Sequence, residues 1–202
     1  MTTPSMTTLV VASGNPGKVR EFGRLLADLP LTIAPMPAGL EIEETGSSFA
    51  DNARLKAIAV AQATGHWALA DDSGLCVAAL GGAPGVQSAR YADSDAARIA
   101  RLLRELDGAS DRSAHFTAAL AVADPSGAVV LEVEGHCPGL ILEAERGSGG
   151  FGYDPIFLVP EVGLSFAEMD ATSKGTLGHR GRAFALLEPR LRALLGQTIH
   201  NG

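Results

Sequence analysis

Two adjacent carboxylates, Asp71 and Asp72, interrupt an apolar stretch in His66-Trp67-Ala68-Leu69-Ala70-Asp71-Asp72-Ser73-Gly74-Leu75-Cys76-Val77. A buried carboxylate without a partner is costly, so an acidic pair at the mouth of an apolar strand needs compensating cations, or a metal ion or water on which it does chemistry. The bland alternative is a turn with Ser73 and Gly74 in which both acids are solvated. Cations stand in other loops of the chain. Ser13-Gly14-Asn15-Pro16-Gly17-Lys18 falls between a strand and a helix, where backbone N–H groups at a helix N-terminus favour an anion. Lys18 adds a point charge there, and Ser13 and Asn15 add side-chain donors. It is not a Walker A loop, because the GxxxxGK[ST] spacing is absent and Val19 follows the lysine. The segment from Glu43 and Glu44 to Lys56 mixes acids with a lysine. Asn52 and Lys56, four apart, share one helix face and can reach one ligand together.

Two further stretches carry chemistry. Gly147-Ser148-Gly149-Gly150-Phe151-Gly152-Tyr153-Asp154-Pro155 contains GxGxxG by count, but Pro155 and the apolar Ile156–Val159 predict a strand next, and a dinucleotide fingerprint needs a helix. Its glycines suit a loop passing close to a flat ring, with Phe151 and Tyr153 available for stacking. The stretch from Thr172 to Ala183 places two cationic residues, Lys174 and Arg180, and His179 in flexible chain before a helix, which suits phosphate or base-edge recognition. Each motif has an ordinary structural alternative: a surface lysine, a polar helix face, a core phenylalanine or a structural histidine. Together they offer scarce cations, hard oxygen ligands and an aromatic ring, the set that a Mg²⁺-bound nucleoside triphosphate requires.

The elements that must position these groups follow from periodicity. Thr8–Ala12 reads as a buried strand, Lys18–Leu29 as an amphipathic helix, Leu31–Ala34 as a second strand, and Phe49–Ala63 as a helix capped by Ser47 or Ser48 and ended by Gly65. Trp67–Ala70 gives a third strand and Asp93–Leu106 a helix. His115–Ala123 and Ala128–Cys137 form a hairpin around Asp124-Pro125-Ser126-Gly127. A last helix spans roughly Gly181–Leu195. Early strand–helix alternation with a later hairpin implies an α/β fold with a mixed sheet.

The chain has 202 residues, 46% hydrophobic and 19% charged, which suits one domain with a sizeable core. A formal net charge of −7 argues against a nucleic-acid coat, and no apolar run is long enough to span a bilayer. Met1–Met6 lacks the marks of a signal peptide, so the expected compartment is the cytoplasm. Cys76 and Cys137 lack zinc-ligand spacing and read as reduced core residues. Residues 1–7 read as a frayed N-terminus, 8–196 as a single domain and 197–202 as a C-terminal tail.

The sequence resembles the inosine/xanthosine triphosphate pyrophosphatase family from about Leu9 to Leu194. The likeness rests on Ser13–Lys18, Phe49–Ala57, Ala70–Leu75, Gly81–Tyr91, Gly149–Phe157 and His179–Gly181. One position departs: the family has Ser immediately before His-Arg, where this chain has Gly178. The resemblance implies an elongated, two-lobed α/β domain with a central mixed sheet flanked by helices and a substrate cleft between the lobes. It implies hydrolysis of ITP, dITP and XTP between the α and β phosphates, with Mg²⁺ as cofactor and a homodimeric assembly. The metal and general-base position falls on Asp72, with Glu44 as the second metal acid. Phosphate contacts fall on Ser13, Gly14, Asn15, Pro16, Gly17, Lys18, Lys56 and Ser73. Base and ribose contacts fall on Phe151, Gly152, Tyr153, Asp154, Lys174, His179 and Arg180. Asp72 suits water activation if its pKa stays low, which a metal and the lysines favour, while Asp71 is expected to orient the turn or a lysine. Two other readings remain at this point: a nucleotide sensor without turnover, and a pyrophosphatase acting on modified pyrimidine nucleotides.

Overall fold

The computed structural model describes residues 6–200, with side chains described through residue 196. Of the expected frayed start, residues 1–5 lie outside the described residues and Thr7 already belongs to the first strand. Of the expected tail, 201–202 lie outside them and the backbone is helical to His200. The chain divides into two compact units: the chain up to Asp72 with Ala119–Glu134 and the chain from Ala183, and Ser73–Ala118 with Gly135–Arg182.

In the first unit, β1 (Thr7–Val11) buries Leu9, Val10 and Val11. It pairs in parallel with β2 (Leu31–Pro35) on one side and with β3 (Trp67–Val77) on the other, Val11 lying opposite both Pro35 and Leu69. Strands buried on both faces read as continuous apolar runs, which is why β1 was legible. Helix α1 (Pro16–Leu25) starts where Asn15 Oδ1 accepts from the backbone N–H groups of Gly17 and Lys18, with Pro16 pre-set at the first helical position. Helix α2 (Phe49–Thr64) is capped by Ser48, whose Oγ accepts from Asp51 N, and is closed by Gly65 in the left-handed region at φ 65°. Since β1 lies between β2 and β3, the two crossovers run in opposite directions. The right-handed crossover rule then sets α1 and α2 on opposite faces of the sheet.

The second unit is built on a core that includes Leu75, Val77, Leu102, Phe116, Cys137, Ile141, Ile156, Phe157 and Phe166. Helix α3 (Asp95–Glu105) is capped by Ser94. Strands β4 (Ser113–Ala123) and β5 (Val129–Ile141) are sheet neighbours on either side of a turn held by Asp124, and both outrun the expected hairpin. A 3-10 turn (Asp154–Ile156) leads into β6 (Phe157–Val159), which pairs antiparallel with β5 and with the two-residue β7 (Leu164–Ser165). All seven strands follow the order β2-β1-β3-β4-β5-β6-β7, a mixed sheet as expected.

Two expectations are corrected. Asp71 and Asp72 do not sit in a turn: β3 continues through both acids and through Ser73 and Gly74 to Val77. Nor is the stretch before the last helix flexible chain. Ala171–Leu177 forms α4, capped by Asp170, and α5 (His179–His200) begins at His179. No helix among the described residues is long and apolar enough to cross a membrane. Both cysteines are free thiols. Burial pushes the Cys137 thiol up to about 11, so at pH 8 only about one molecule in a thousand carries the thiolate that reacts. Thiol labelling of the native protein at pH 8 is therefore expected to leave Cys137 unmodified, read by mass spectrometry of the labelled peptides. Labelling of Cys137 at the rate seen in denaturant would contradict this.

Candidate active site

The first cluster forms in the first unit, where β1 ends and β3 continues. Successive strand residues face opposite sides of a sheet, so adjacent acids serve two different helices. Asp71 meets α1: Lys18 Nζ lies 2.7 Å from its Oδ2, and the Asp71 side chain is only 1% exposed. Asp72 meets α2: Lys56 Nζ lies 3.0 Å from Asp72 Oδ1 and 2.7 Å from Glu44 Oε1. Asn52, one turn before Lys56, donates Nδ2 to Asp72 Oδ2 at 3.2 Å. Asn52 and Lys56 share one face of α2, as expected, and both reach Asp72. Asp71 orients a lysine, as expected, although there is no turn for it to orient.

The loop before α1 is fixed by its own side chains. Ser13 Oγ accepts from Asn15 N, and Asn15 Oδ1 is taken by the helix start, so the donor that Asn15 retains is its amide Nδ2. Gly14 and Gly17 belong to the same turn, and Ala12 N bonds Leu69 O, joining the loop to β3 just ahead of the acids. Strand ends followed by helix N-termini, at the point where strand order reverses, are where open α/β sheets bind anionic ligands.

Charge in this cluster is finely opposed. Burial pushes the Asp72 pKa above the ordinary carboxylate value, more than Lys56 and Lys18 pull it down. The cause is desolvation inside a strand rather than at a solvated turn. For Lys56 the balance is reversed. Burial acts to lower it, but Asp72, Glu44 and Asp71 outweigh that and hold it above the usual lysine value.

The donor set also fits a divalent cation. One ammonium nitrogen touches both Glu44 and Asp72, so two carboxylates converge on one cation-sized point. Among the described residues no group of three or more acids, histidines or cysteines converges to cage a metal. Mg²⁺ does not need such a cage, because it keeps several waters and takes phosphate oxygens beside one or two carboxylates.

The second cluster lies in the second unit. Asp154, buried, accepts on Oδ2 from Phe151 N at 3.0 Å and from Lys174 Nζ at 2.6 Å. Gly150, at φ 75°, allows this: a Cβ there would sit 1.9 Å from Asp154 Oδ2. Lys174 Nζ stands 4.8 Å and Arg180 Cζ 5.4 Å from the Phe151 ring centroid, so two cations border the one half-exposed aromatic ring of the loop. Tyr153 is not available for stacking. Its ring is 4% exposed and its hydroxyl donates to Ser88 O at 2.8 Å, anchoring the loop. Gly152 N donates to Asp95 Oδ2 at 2.7 Å. Arg180 Nη2 donates to Ser73 Oγ at 2.6 Å. His179, 3% exposed, stacks on Phe116 with centroids 4.7 Å apart and an interplanar angle of 13°.

Sequence reasoning missed Asp95 and Phe116, which act through contacts distant in sequence and carry no motif signal of their own, and it assigned no role to Ser88 within the Gly81–Tyr91 stretch. Two glycines pin the cationic segment. A Cβ on Gly181 would lie 1.7 Å from Gly175 O, and one on Gly178 would lie 2.6 Å from Lys174 O. Gly178, the departure from the family pattern, thus stands where a side chain would press on the last turn of α4. Gly181→Ala is expected to force α4 and α5 apart, costing about 1–3 kcal/mol and lowering Tm by several degrees in a thermal melt. An unchanged Tm would show that the helices separate freely.

Both clusters sit on an α/β frame with a phosphate-type loop, an acid–lysine cluster and a cation-bordered ring, the parts of a nucleotide-binding enzyme fold. The chain belongs to the Ham1 family, whose model matches residues 9–190. It is 63% identical over 187 residues to a dITP/XTP pyrophosphatase of Synechococcus sp., covering 93% of this chain and 91% of that one. With the dITP/XTP pyrophosphatase of Gloeobacter violaceus it shares 55% over 178 residues, covering 88% and 91%. Among solved structures it is similar to a HAM1 protein from Coxiella burnetii, with TM-score 0.83, 44% identity and coverage of 92% and 98%. It is similar also to a nucleoside-triphosphatase / dITP/XTP pyrophosphatase from Mycobacterium abscessus, with TM-score 0.71, 41% identity and coverage of 91% and 100%.

Proposed function

We propose that this chain is a dITP/XTP pyrophosphatase, hydrolysing ITP, dITP and XTP to the monophosphate and pyrophosphate and so removing deaminated purines from the nucleotide pool. The observation that carries this reading is Asp72, buried in mid-strand between Lys56 and Asn52, with Glu44 on the same lysine. The names of relatives matching nearly the whole chain support it.

Glu44 and Asp72 would hold Mg²⁺, which when bound offsets phosphate charge and lowers the cost of ionising water. Lys18, Lys56 and the backbone N–H groups of Ser13–Lys18 take the triphosphate oxygens. Asp72 orients the attacking water and accepts its proton as the water oxygen bonds to the α phosphorus. The bond from that phosphorus to the bridging oxygen breaks, and pyrophosphate leaves with the electron pair. The protein's share of the catalysis is positioning and charge, as phosphoryl chemistry requires.

The base lies on Phe151, with Lys174, His179 and Arg180 around it. Hypoxanthine and xanthine carry a 6-keto acceptor where adenine carries a 6-amino donor, so donors from His179 or Arg180 accept the former and oppose the latter. Asp154 contributes by holding Lys174 and the Phe151 backbone. The working assembly is a cytoplasmic homodimer with Mg²⁺. Pyrophosphate release across a nucleotide panel tests the activity, and sedimentation equilibrium tests the dimer.

A further inference from the structure

Asn52 carries none of the roles above, yet it is buried beside Asp72, at 1% exposure. It also sits inside α2, where Asn is a poorer helix former than the alanines around it. We infer that Asn52 is the positioning residue of Asp72, a neutral amide bridge that sets the carboxylate's orientation and ties it to the Glu44 segment, so that both acids face one cation. The inference rests on the proposed function for the roles of those acids.

Chemistry fixes which end of the amide is which. A carboxylate only accepts, so the nitrogen must face Asp72, and a backbone N–H only donates, so the oxygen must face Gly46. Both contacts are made: Nδ2 to Asp72 Oδ2 at 3.2 Å, and Gly46 N to Oδ1 at 2.8 Å. The approach of Gly46 is so close that a Cβ on it would lie 2.6 Å from Asn52 Oδ1. Glu44 is two residues before Gly46, so one side chain sets the register of both acids.

The other holder of Asp72 is of a different kind. Lys56 bonds Asp72 Oδ1 and Glu44 Oε1 through a positive charge, and a divalent cation would compete with it for the same oxygens. Asn52 occupies the opposite oxygen without neutralising it. Its hydrogen bond is compatible with cation binding and holds the carboxylate plane while Lys56 turns to phosphate. Hydrogen bonds to metal-binding carboxylates typically alter affinity or activity about 10- to 100-fold when lost.

The test uses Asn52→Ala, with Asn52→Leu, which keeps the side-chain volume, as the second variant should the first not fold. Two quantities are read on folded protein: Mn²⁺ affinity of the nucleotide-free chain by electron paramagnetic resonance, and kcat and KM for ITP at saturating Mg²⁺. The expected result is an Mn²⁺ Kd weakened about 10-fold and kcat lowered about 10- to 100-fold, with KM changed less than about threefold because the phosphate and base contacts remain. A merely structural asparagine would lower Tm and leave both readouts in place. Mn²⁺ affinity and kcat within about twofold of wild type would overturn the inference. A wild-type protein that releases no pyrophosphate would instead sink the proposed function, and the Mn²⁺ measurement would still decide the role of Asn52.

Discussion

Asp72→Asn is expected to lower turnover of ITP by at least about 1,000-fold while the protein remains folded. The loss would follow from removing the group proposed as both proton acceptor and one of two metal-binding acids. The effect on stability has two opposed parts, of which linkage is one. Burial raises the folded-state pKa of Asp72 above its unfolded value, so its contribution is fully present below the unfolded value of 3.8 and is lost as pH rises through the folded one. At neutral pH the ionised carboxylate therefore costs stability that a neutral amide does not. Against that, Asp72 accepts from both Lys56 and Asn52, whereas the amide that Asp72→Asn introduces has one acceptor for the two donors, although Lys56 keeps Glu44 at 2.7 Å. A folded variant with wild-type turnover would remove Asp72 from the chemistry. A Tm well below wild type would show that its ion pair with Lys56 outweighs its desolvation.

Arg180→Ala is expected to raise KM for ITP about 10-fold or more and to narrow the preference for ITP over ATP, in kcat/KM, by about 100-fold. The guanidinium is buried, bonded to Ser73 Oγ at 2.6 Å and set 5.4 Å from the Phe151 ring, so its donors are aimed rather than solvated. Opposing a buried donor to the amino group of adenine discriminates far more strongly than a steric mismatch does, and that discrimination goes with the arginine. Arg180→Lys should recover charge but little selectivity, because an ammonium lacks the planar fork. An ITP/ATP ratio unchanged in Arg180→Ala would remove Arg180 from base reading, whatever happened to KM.

What was legible in the sequence was what local chemistry decides. Ser48 as a cap, Gly65 as a helix stop, the apolar run of β1 and the Asp124 turn depend on a few neighbouring residues, and each formed where its signal lay, whereas Asn15, expected as a donor, caps α1 with its oxygen. The acids were legible as needing compensation, and Lys18 and Lys56 supply it. Their secondary structure was not. Ser73-Gly74 signals a turn locally, but β3 is continued by neighbouring strands and by lysines and an asparagine from other elements. The same holds for α4, whose Thr, Ser and Gly have weak helix propensity. It forms because Asp170 caps it and Lys174 is anchored by Asp154. Tyr153 was expected as a stacking ring, and only its partner Ser88, far away in sequence, shows that it is an anchor.

The proposed reaction splits deaminated purine triphosphates to the monophosphate and pyrophosphate. It is tested most directly by steady-state pyrophosphate release with Mg²⁺ across ITP, dITP, XTP, GTP and ATP. The expected kcat/KM for ITP, dITP and XTP is at least about 100-fold above that for ATP, with monophosphate and pyrophosphate as the products. Release of inorganic phosphate in place of pyrophosphate, or equal rates on ATP and ITP, would contradict it.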